Sequence, residues 1–273
     1  MHLFNKKKFE KLPERREWDH KINLMEKAPK ELNAKTYAMI LKEEEVLNQW
    51  LDEQLKAGLI VESKSRYTAP CFYIPKKDGS LQLVQDYRKL NQVTIKDKMP
   101  LPLIREVINK LKEAKYINML DLIWGYNNIQ IKKGDEWKAA FLTNKGLFEL
   151  QVMYFGLCNS LGTFQRIMNS IFQELLHERV LANYMDNFVI PAKTIEELEE
   201  RTIRFLNIAE KHNLCFKRSK CDFNIEEIPI LGVIVEKEQV KIEQEKIKAM
   251  KEWKIPTKVK DVESFLGFIN FYQ

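Results

Sequence analysis

Two hydrophobic periods alternate along the chain. From Glu43, residues Leu47, Trp50, Leu51 and Leu55 recur at helical spacing, and Gly58 follows as a C-terminal stop. Residues 59–91 read as strands and turns. A strand over 69–74 meets a turn at 76–80, with Asp78-Gly79 as the hairpin signal, and returns over 81–86. Pro100 and Pro102 end that stretch. A helix through Ile104, Val107, Ile108 and Leu111 then leads into a strand that finishes on Asp121. Residues 125–131 resume as β structure, and 137–142 with 148–153 form a second hairpin. Asn159 or Ser160 can cap the next helix, whose apolar stripe runs Leu161, Phe164, Ile167, Met168, Ile171, Phe172, Leu175 and Leu176. Two short β-prone runs, 180–182 and 188–190, meet at a polar Met185-Asp186 tip. Thr194 with Glu197 makes a capping box for a helix through Leu198, Phe205, Leu206 and Ala209. Residues 228–235 read as a strand pair or a bulged strand. Helices around 247–253 and 262–269, separated by Pro256, close the chain. Residues 1–35 are highly charged without a period and read as a poorly ordered leader.

With the second hairpin set aside as an insertion, this order predicts an antiparallel sheet with helices on one face, an α+β layer. Asp121 and Asp186 can then lie on adjacent strands although 65 positions separate them. One carboxylate holds a catalytic metal poorly. Two from different strands can bind Mg²⁺ and leave positions open for phosphate oxygens. The plainer readings are a turn residue for Asp186 and a strand-end cap for Asp121. Lys76 and Lys77, at a hairpin tip, either reach a triphosphate as mobile charges or keep an edge hairpin soluble.

Composition bounds the rest. The 273 residues, 45% apolar and 31% charged, suit a soluble globular protein with more than one subdomain. No apolar run of about 18 residues exists, so nothing reads as a membrane span, and the basic start lacks the apolar core of a signal peptide. Cys71, Cys158, Cys215 and Cys221 are scattered, as free thiols in a reducing compartment are. His212, Cys215 and Cys221 lack a fourth ligand at zinc spacing. The net charge of +6 is uneven: 61–120 carry 12 Lys/Arg against 6 Asp/Glu, 121–200 carry 7 against 11, and 201–273 carry 14 against 11. Basic segments around an acidic middle suit a grip on a phosphate backbone about a metal centre, or simply solvated helix faces. There is no internal repeat, Walker loop or dinucleotide fingerprint.

An ordered series of motifs goes further: Lys76-Lys-Asp-Gly-Ser80, Asp86-Tyr-Arg-Lys-Leu-Asn91, Pro100-Leu-Pro102, Leu120-Asp-Leu122 with Gly125-Tyr126, Phe155-Gly-Leu157, Thr163-Phe-Gln165, Tyr184-Met-Asp186, Lys220-Cys221, Leu231-Gly232 and Ser264-Phe-Leu-Gly267. From about Tyr37 onward the chain resembles the reverse transcriptase domain of gypsy-type LTR retrotransposons, most like those of fungal genomes. The resemblance implies a right-hand polymerase. Residues 36–235 would form fingers and a ferredoxin-like palm, and 236–273 the start of a thumb and connection.

It also implies RNA-directed DNA polymerase activity with two Mg²⁺ ions, or Mn²⁺ in their place. The partners would be an RNA template, a DNA primer or RNA–DNA duplex, and dNTPs, and the setting intracellular, in a cytoplasmic virus-like particle or the nucleus. By the same resemblance Asp121 and Asp186 are the shared metal ligands, with the Leu122 carbonyl as a further one. Tyr126 lies under the sugar, Phe155 lines the nucleotide pocket, Lys76 or Lys77 reaches the triphosphate, and Leu231 with Gly232 holds the primer end. The chain departs from the family pattern at several positions. Asn187 stands where an aspartate is usual and removes a negative charge. Gln82 stands where an arginine usually forks onto the triphosphate. Ile123, Tyr154, Leu161 and Gly162 are further departures. The expectation is an impaired polymerase, cut from a polyprotein before its ribonuclease H; the alternative is an inactive retroelement remnant that binds nucleic acid.

Overall fold

The computed structural model describes residues 2–4, 11–76, 79–100, 104–123, 125–230, 232–236 and 239–270. In chain order the elements are α1 (Leu41–Ala57), β1 (Ile60–Glu62), β2 (Ala69–Pro75), β3 (Leu81–Gln85), α2 (Arg88–Val93), α3 (Ile104–Leu111), β4 (Tyr116–Asp121), β5 (Ala140–Thr143) and β6 (Gly146–Leu150). They continue as α4 (Ser160–Ile171), α5 (Gln173–His177), β7 (Ala182–Tyr184), β8 (Asn187–Ala192), α6 (Ile195–Lys211), β9 (Asp222–Ile225), β10 (Glu227–Ile230), β11 (Val233–Glu236), β12 (Gln239–Ile242), α7 (Gln244–Lys251) and α8 (Val259–Asn270). Two compact units result. One gathers Met1–Leu101, Leu122–Gln173 and Ile208–Lys217, and the other Pro102–Asp121, Glu174–Asn207 and Arg218–Gln273.

The first unit is built on a five-stranded sheet in the order β1-β6-β5-β2-β3, antiparallel except where β2 runs parallel to β5. The stripe of α1 buries Leu47 and Leu51 against Ile60, Phe141, Phe148 and Leu150. Gly58 closes the helix at φ +71°, its N–H donating to the Gln54 and Leu55 carbonyls, a conformation a Cβ would strain. The expected strands at 69–74 and 81–86 appear as β2 and β3, joined through Gly79 at φ +78°.

Three expectations in this unit are corrected. Residues 88–93 are helical, where 59–91 read as strands and turns, because the Asp86 carboxylate accepts the Arg88 N–H at 3.1 Å and its guanidinium, starting a turn that buries Leu90. Residues 125–128 form a 3₁₀ turn rather than a strand; Ile129 N–H donates to the Tyr126 carbonyl at 3.1 Å, and only Gln130 and Ile131 make isolated bridges. The second hairpin begins later than expected, at Ala140, since Glu136–Ala139 is another 3₁₀ turn.

Residues 11–35 are held down rather than poorly ordered. Bridges join His20 to Ile131, Leu24 to Thr94 and Leu32 to Tyr67, and Arg15 reaches Glu136 at 2.7 Å. The charged residues hid this packing, since the buried positions, His20 and Ile22, follow no period. The Asn159 side chain does not cap α4. It accepts from Asp97 N–H at 2.9 Å and donates to the Ile95 carbonyl at 2.8 Å. The long stripe is divided between two helices at Phe172, and Phe164, Ile167, Met168, Phe172 and Leu175 are its buried members.

In the second unit four antiparallel strands lie in the order β7-β8-β4-β9. Every residue of β8 after Asn187 is buried, as a central strand requires. Val107 and Leu111 of α3 pack with Ile117, Val189 and the β10–β11 residues Ile228, Val233 and Val235. Asn118, buried in β4, donates to Thr202 Oγ1 at 2.8 Å and accepts from Asn224 N–H at 2.7 Å, tying α6 and β9 to the sheet. The expected pair over 228–235 exists as β10 and β11, and β12 adds a third strand that no alternation announced. The Thr194–Glu197 cap forms with one shift: Glu197 N–H donates to Thr194 Oγ1, while the Glu197 carboxylate accepts from Lys193 N–H. Trp253 stacks near Phe265 and Phe268, at 5.5 and 5.2 Å, joining α7's end to α8.

Candidate active site

The β7–β8 hairpin pairs Tyr184 with Asn187, leaving Met185 and Asp186 as a two-residue tip. Met185 takes φ 55°, the left-handed turn position that such tight hairpins need and that a β-carbon disfavours. On its other side Asn187 pairs with Asp121, the last residue of β4. The two acids, far apart in sequence, thus stand at neighbouring strand ends.

Their electrostatics are unbalanced. One Asp186 oxygen, Oδ1, is buried without a hydrogen-bond partner. Burial, then the negative charge of Asp121, pushes the Asp186 carboxyl up from 3.8 to about 6, with Lys220 pulling the other way. Lys220 Nζ lies 3.4 Å from Asp121 Oδ2. Two crowded carboxylates, one with an oxygen left unpaired, fit a divalent cation. Among the described residues no group of three or more His, Cys, Asp or Glu side chains is placed to hold a metal ion.

The remaining candidates fall in the first unit or in the part of the second beyond β10. Leu122 follows Asp121 directly, is buried, and bridges Phe216. Tyr126 is only 4% exposed: Phe155 covers it with ring centroids 4.2 Å apart, and Phe164 stacks beneath at 5.1 Å. Phe155, 59% exposed, is the ring this stack presents to solvent. Lys76 is exposed at the end of β2, its N–H donating to the Ser80 carbonyl at 2.8 Å. Gln82 is exposed on β3 opposite Ile74. Gly232 turns at φ +84° between β10 and β11. Lys77 and Leu231 lie outside the described residues.

Two residues carried no local signal. Lys220 meets Asp121 across 99 positions, and Gln85, the last residue of β3, holds a buried amide nitrogen without a partner. Among the described residues no helix is long and apolar enough to cross a membrane.

The sequence model for "Reverse transcriptase (RNA-dependent DNA polymerase)" matches residues 74–235. The retrovirus-related Pol polyprotein from transposon 297 of Drosophila melanogaster is 35% identical over 260 residues, 93% of this chain and 24% of the relative. The Transposon Tf2-7 polyprotein of Schizosaccharomyces pombe is 33% identical over 227 residues, 83% of this chain and 17% of the relative. The chain therefore spans about a quarter or less of these relatives. Among solved structures, the foamy viral protease-reverse transcriptase in complex with RNA/DNA hybrid superposes with a TM-score of 0.80 at 21% identity, covering 96% of this chain and 35% of that one. Its counterpart in complex with double-stranded DNA gives 0.83 at 21% identity, over 96% and 45%. The fold is the right-hand polymerase fold. With the family match covering more than half of its length, the chain belongs to the reverse transcriptase family, as a domain of the kind that retrotransposon polyproteins carry.

Proposed function

We propose that this chain is an RNA-directed DNA polymerase domain of a gypsy-type retrotransposon, with activity lowered by Asn187 and Gln82. The observation that carries the reading is the pairing of Asp121 with Asn187, which sets Asp121 beside Asp186 with one carboxylate oxygen unpaired. Reverse transcriptases generally use divalent metal ions. Asp121 and Asp186 would hold two Mg²⁺, or Mn²⁺, with the Leu122 carbonyl as a further ligand. When bound, the ions lower the pKa of a primer 3′-hydroxyl and neutralise charge on the departing pyrophosphate.

The chain's own residues do the rest. Lys76, and Lys77 beside it, attract the triphosphate, and Gln82 offers it an amide without charge. Phe155 presents its ring to the nucleotide, with Tyr126 supporting it from below and reading the sugar when uncovered. Leu231 and Gly232 hold the primer end. Residues 36–235 supply fingers and palm, and 236–273 the thumb. The substrates are dNTPs on an RNA template with a DNA primer, inside the cell, in a cytoplasmic particle or the nucleus. The basic flanks and the nucleic-acid complexes of the structural neighbours support that choice of partner.

Asn187 offers one neutral oxygen where an acid would bring charge, so the pair must hold its ions with less attraction. Primer extension on RNA with dNTPs and Mg²⁺ tests the reading, comparing the chain with Asn187→Asp and with Asn187→Asp plus Gln82→Arg. Slow extension that rises stepwise through the two variants is expected. Duplex binding without extension by any of the three refutes a polymerase.

A further inference from the structure

Residues His2–Phe4 form a short 3₁₀ turn that is fastened, within the first unit, to the segment beside Leu122. Leu122 bridges Phe216 in antiparallel sense, and the Ile123 N–H donates to the Cys215 carbonyl at 2.8 Å. That bond makes Leu122 and Phe216 a non-hydrogen-bonded pair, in which each residue turns its own N–H and C=O away from the other. The Leu122 carbonyl therefore makes no bond to Phe216. On its far side Phe216 donates its N–H to the Leu3 carbonyl at 2.9 Å. Leu3 and Phe216 are both buried, and the Phe4 ring lies 6.3 Å from that of Phe216. Phe216 is thus held from two sides, by Leu122 and by Leu3.

A turn of three residues cannot keep its place by its own hydrogen bonding, so its buried side chain and its carbonyl hold it on Phe216. The dependence runs both ways. Without Leu3 the Phe216 N–H is a buried donor that has lost its acceptor, which costs the full desolvation penalty of that group. Phe216 relieves the cost by shifting towards water, and its ladder partner Leu122 loses a fixed neighbour. Leu122 follows Asp121 directly in sequence. A carbonyl serves a hard cation only when its peptide plane is held in the right orientation, which is the work of partners one step behind the ligands.

We infer that Leu3 and Phe4 are positioning residues of the metal site: docked on Phe216, they fix the Leu122 backbone so that its carbonyl is available to an ion held by Asp121 and Asp186. The inference rests on the metal reading proposed above and adds two residues that lie more than a hundred positions from the ligands they serve.

Spin-resonance titration of Mn²⁺ into the full chain tests it. The variants are Leu3→Ala plus Phe4→Ala, to undock the turn, Leu3→Met, to keep an apolar anchor, and Asp121→Asn, as the control for the site. Amide exchange at Phe216 reports the docking, and urea unfolding reports the fold, both in EDTA. The double variant is expected to expose the Phe216 amide to exchange and to weaken Mn²⁺ binding by about tenfold, the lower end of what such partners are worth. Leu3→Met is expected to keep the parent's affinity. Should the double variant unfold, Leu3→Ala alone, compared in the same way, decides the question. A folded variant with its Phe216 amide exposed and Mn²⁺ bound as in the parent overturns the inference and leaves the turn a purely structural one. A Phe216 amide as protected as in the parent overturns it too, since the amide then does not depend on Leu3. Equal Mn²⁺ binding by the parent and Asp121→Asn removes the carboxylate site itself, and the inference with it.

Discussion

The carboxylate pair makes the metal-free fold pay for its own site, and Asp186→Asn measures by how much. The Asp186 carboxyl titrates near 6 in the folded chain against 3.8 ordinarily, because burial and Asp121 oppose its charge. Between those values the folded chain binds more protons than the unfolded one, so stability falls as pH rises through the window and stays low above it. The gap corresponds to ~3 kcal/mol; Asp186 is half-buried, and solvent screening reduces this to ~1–2 kcal/mol. In EDTA, Asp186→Asn is therefore expected to stabilise the second unit by ~1–2 kcal/mol at about pH 7.5, with the gain shrinking towards about pH 4. Urea unfolding of both proteins, followed at several pH values, reads the difference. Millimolar Mn²⁺ added above about pH 6.5 is expected to raise the parent's midpoint and leave the variant's nearly unmoved. A variant no more stable than the parent at neutral pH, or a gain that does not change with pH, refutes the reasoning.

Three further outcomes follow from the same geometry. Lys220 is the only side-chain cation within ion-pairing distance of Asp121 among the described residues, so Lys220→Met is expected to tighten Mn²⁺ binding roughly twofold to fivefold by spin-resonance titration; weaker binding would show that Lys220 supports the site. His20 is buried, its Nδ1 3.1 Å from Thr163 Oγ1, and burial lowers its pKa from 6.5 to about 4. A neutral buried His contributes stability that is complete above 6.5 and lost as pH falls towards 4, ~3 kcal/mol in all. In His20→Gln that loss should be absent, and an unchanged acid profile in unfolding experiments contradicts it. Asn118→Ala removes the two hydrogen bonds that tie α6 and β9 to the sheet carrying Asp121 and should cost about 1–3 kcal/mol in urea unfolding. A cost under ~0.5 kcal/mol would mean the bonds are replaced.

Local pattern alone specified much of this molecule. The period of α1 and its Gly58 stop, the β2–β3 hairpin, the β7–β8 hairpin and the Thr194 cap depend on contacts a few residues apart, so spacing and turn chemistry reveal them. The adjacency of Asp121 and Asp186 was legible too, because alternating strands and helices leave few ways to order an antiparallel sheet. The burial of Tyr126 under Phe155, the diversion of Asn159 to residues 95–97, the docking of residues 11–35, the Lys220–Asp121 contact and the orphaned Gln85 amide were decided by tertiary structure. Each depends on which atoms the fold brings within a few ångströms across tens of positions. Hydrophobic periodicity records which face of an element is buried, and says nothing of which polar partner waits on the other side.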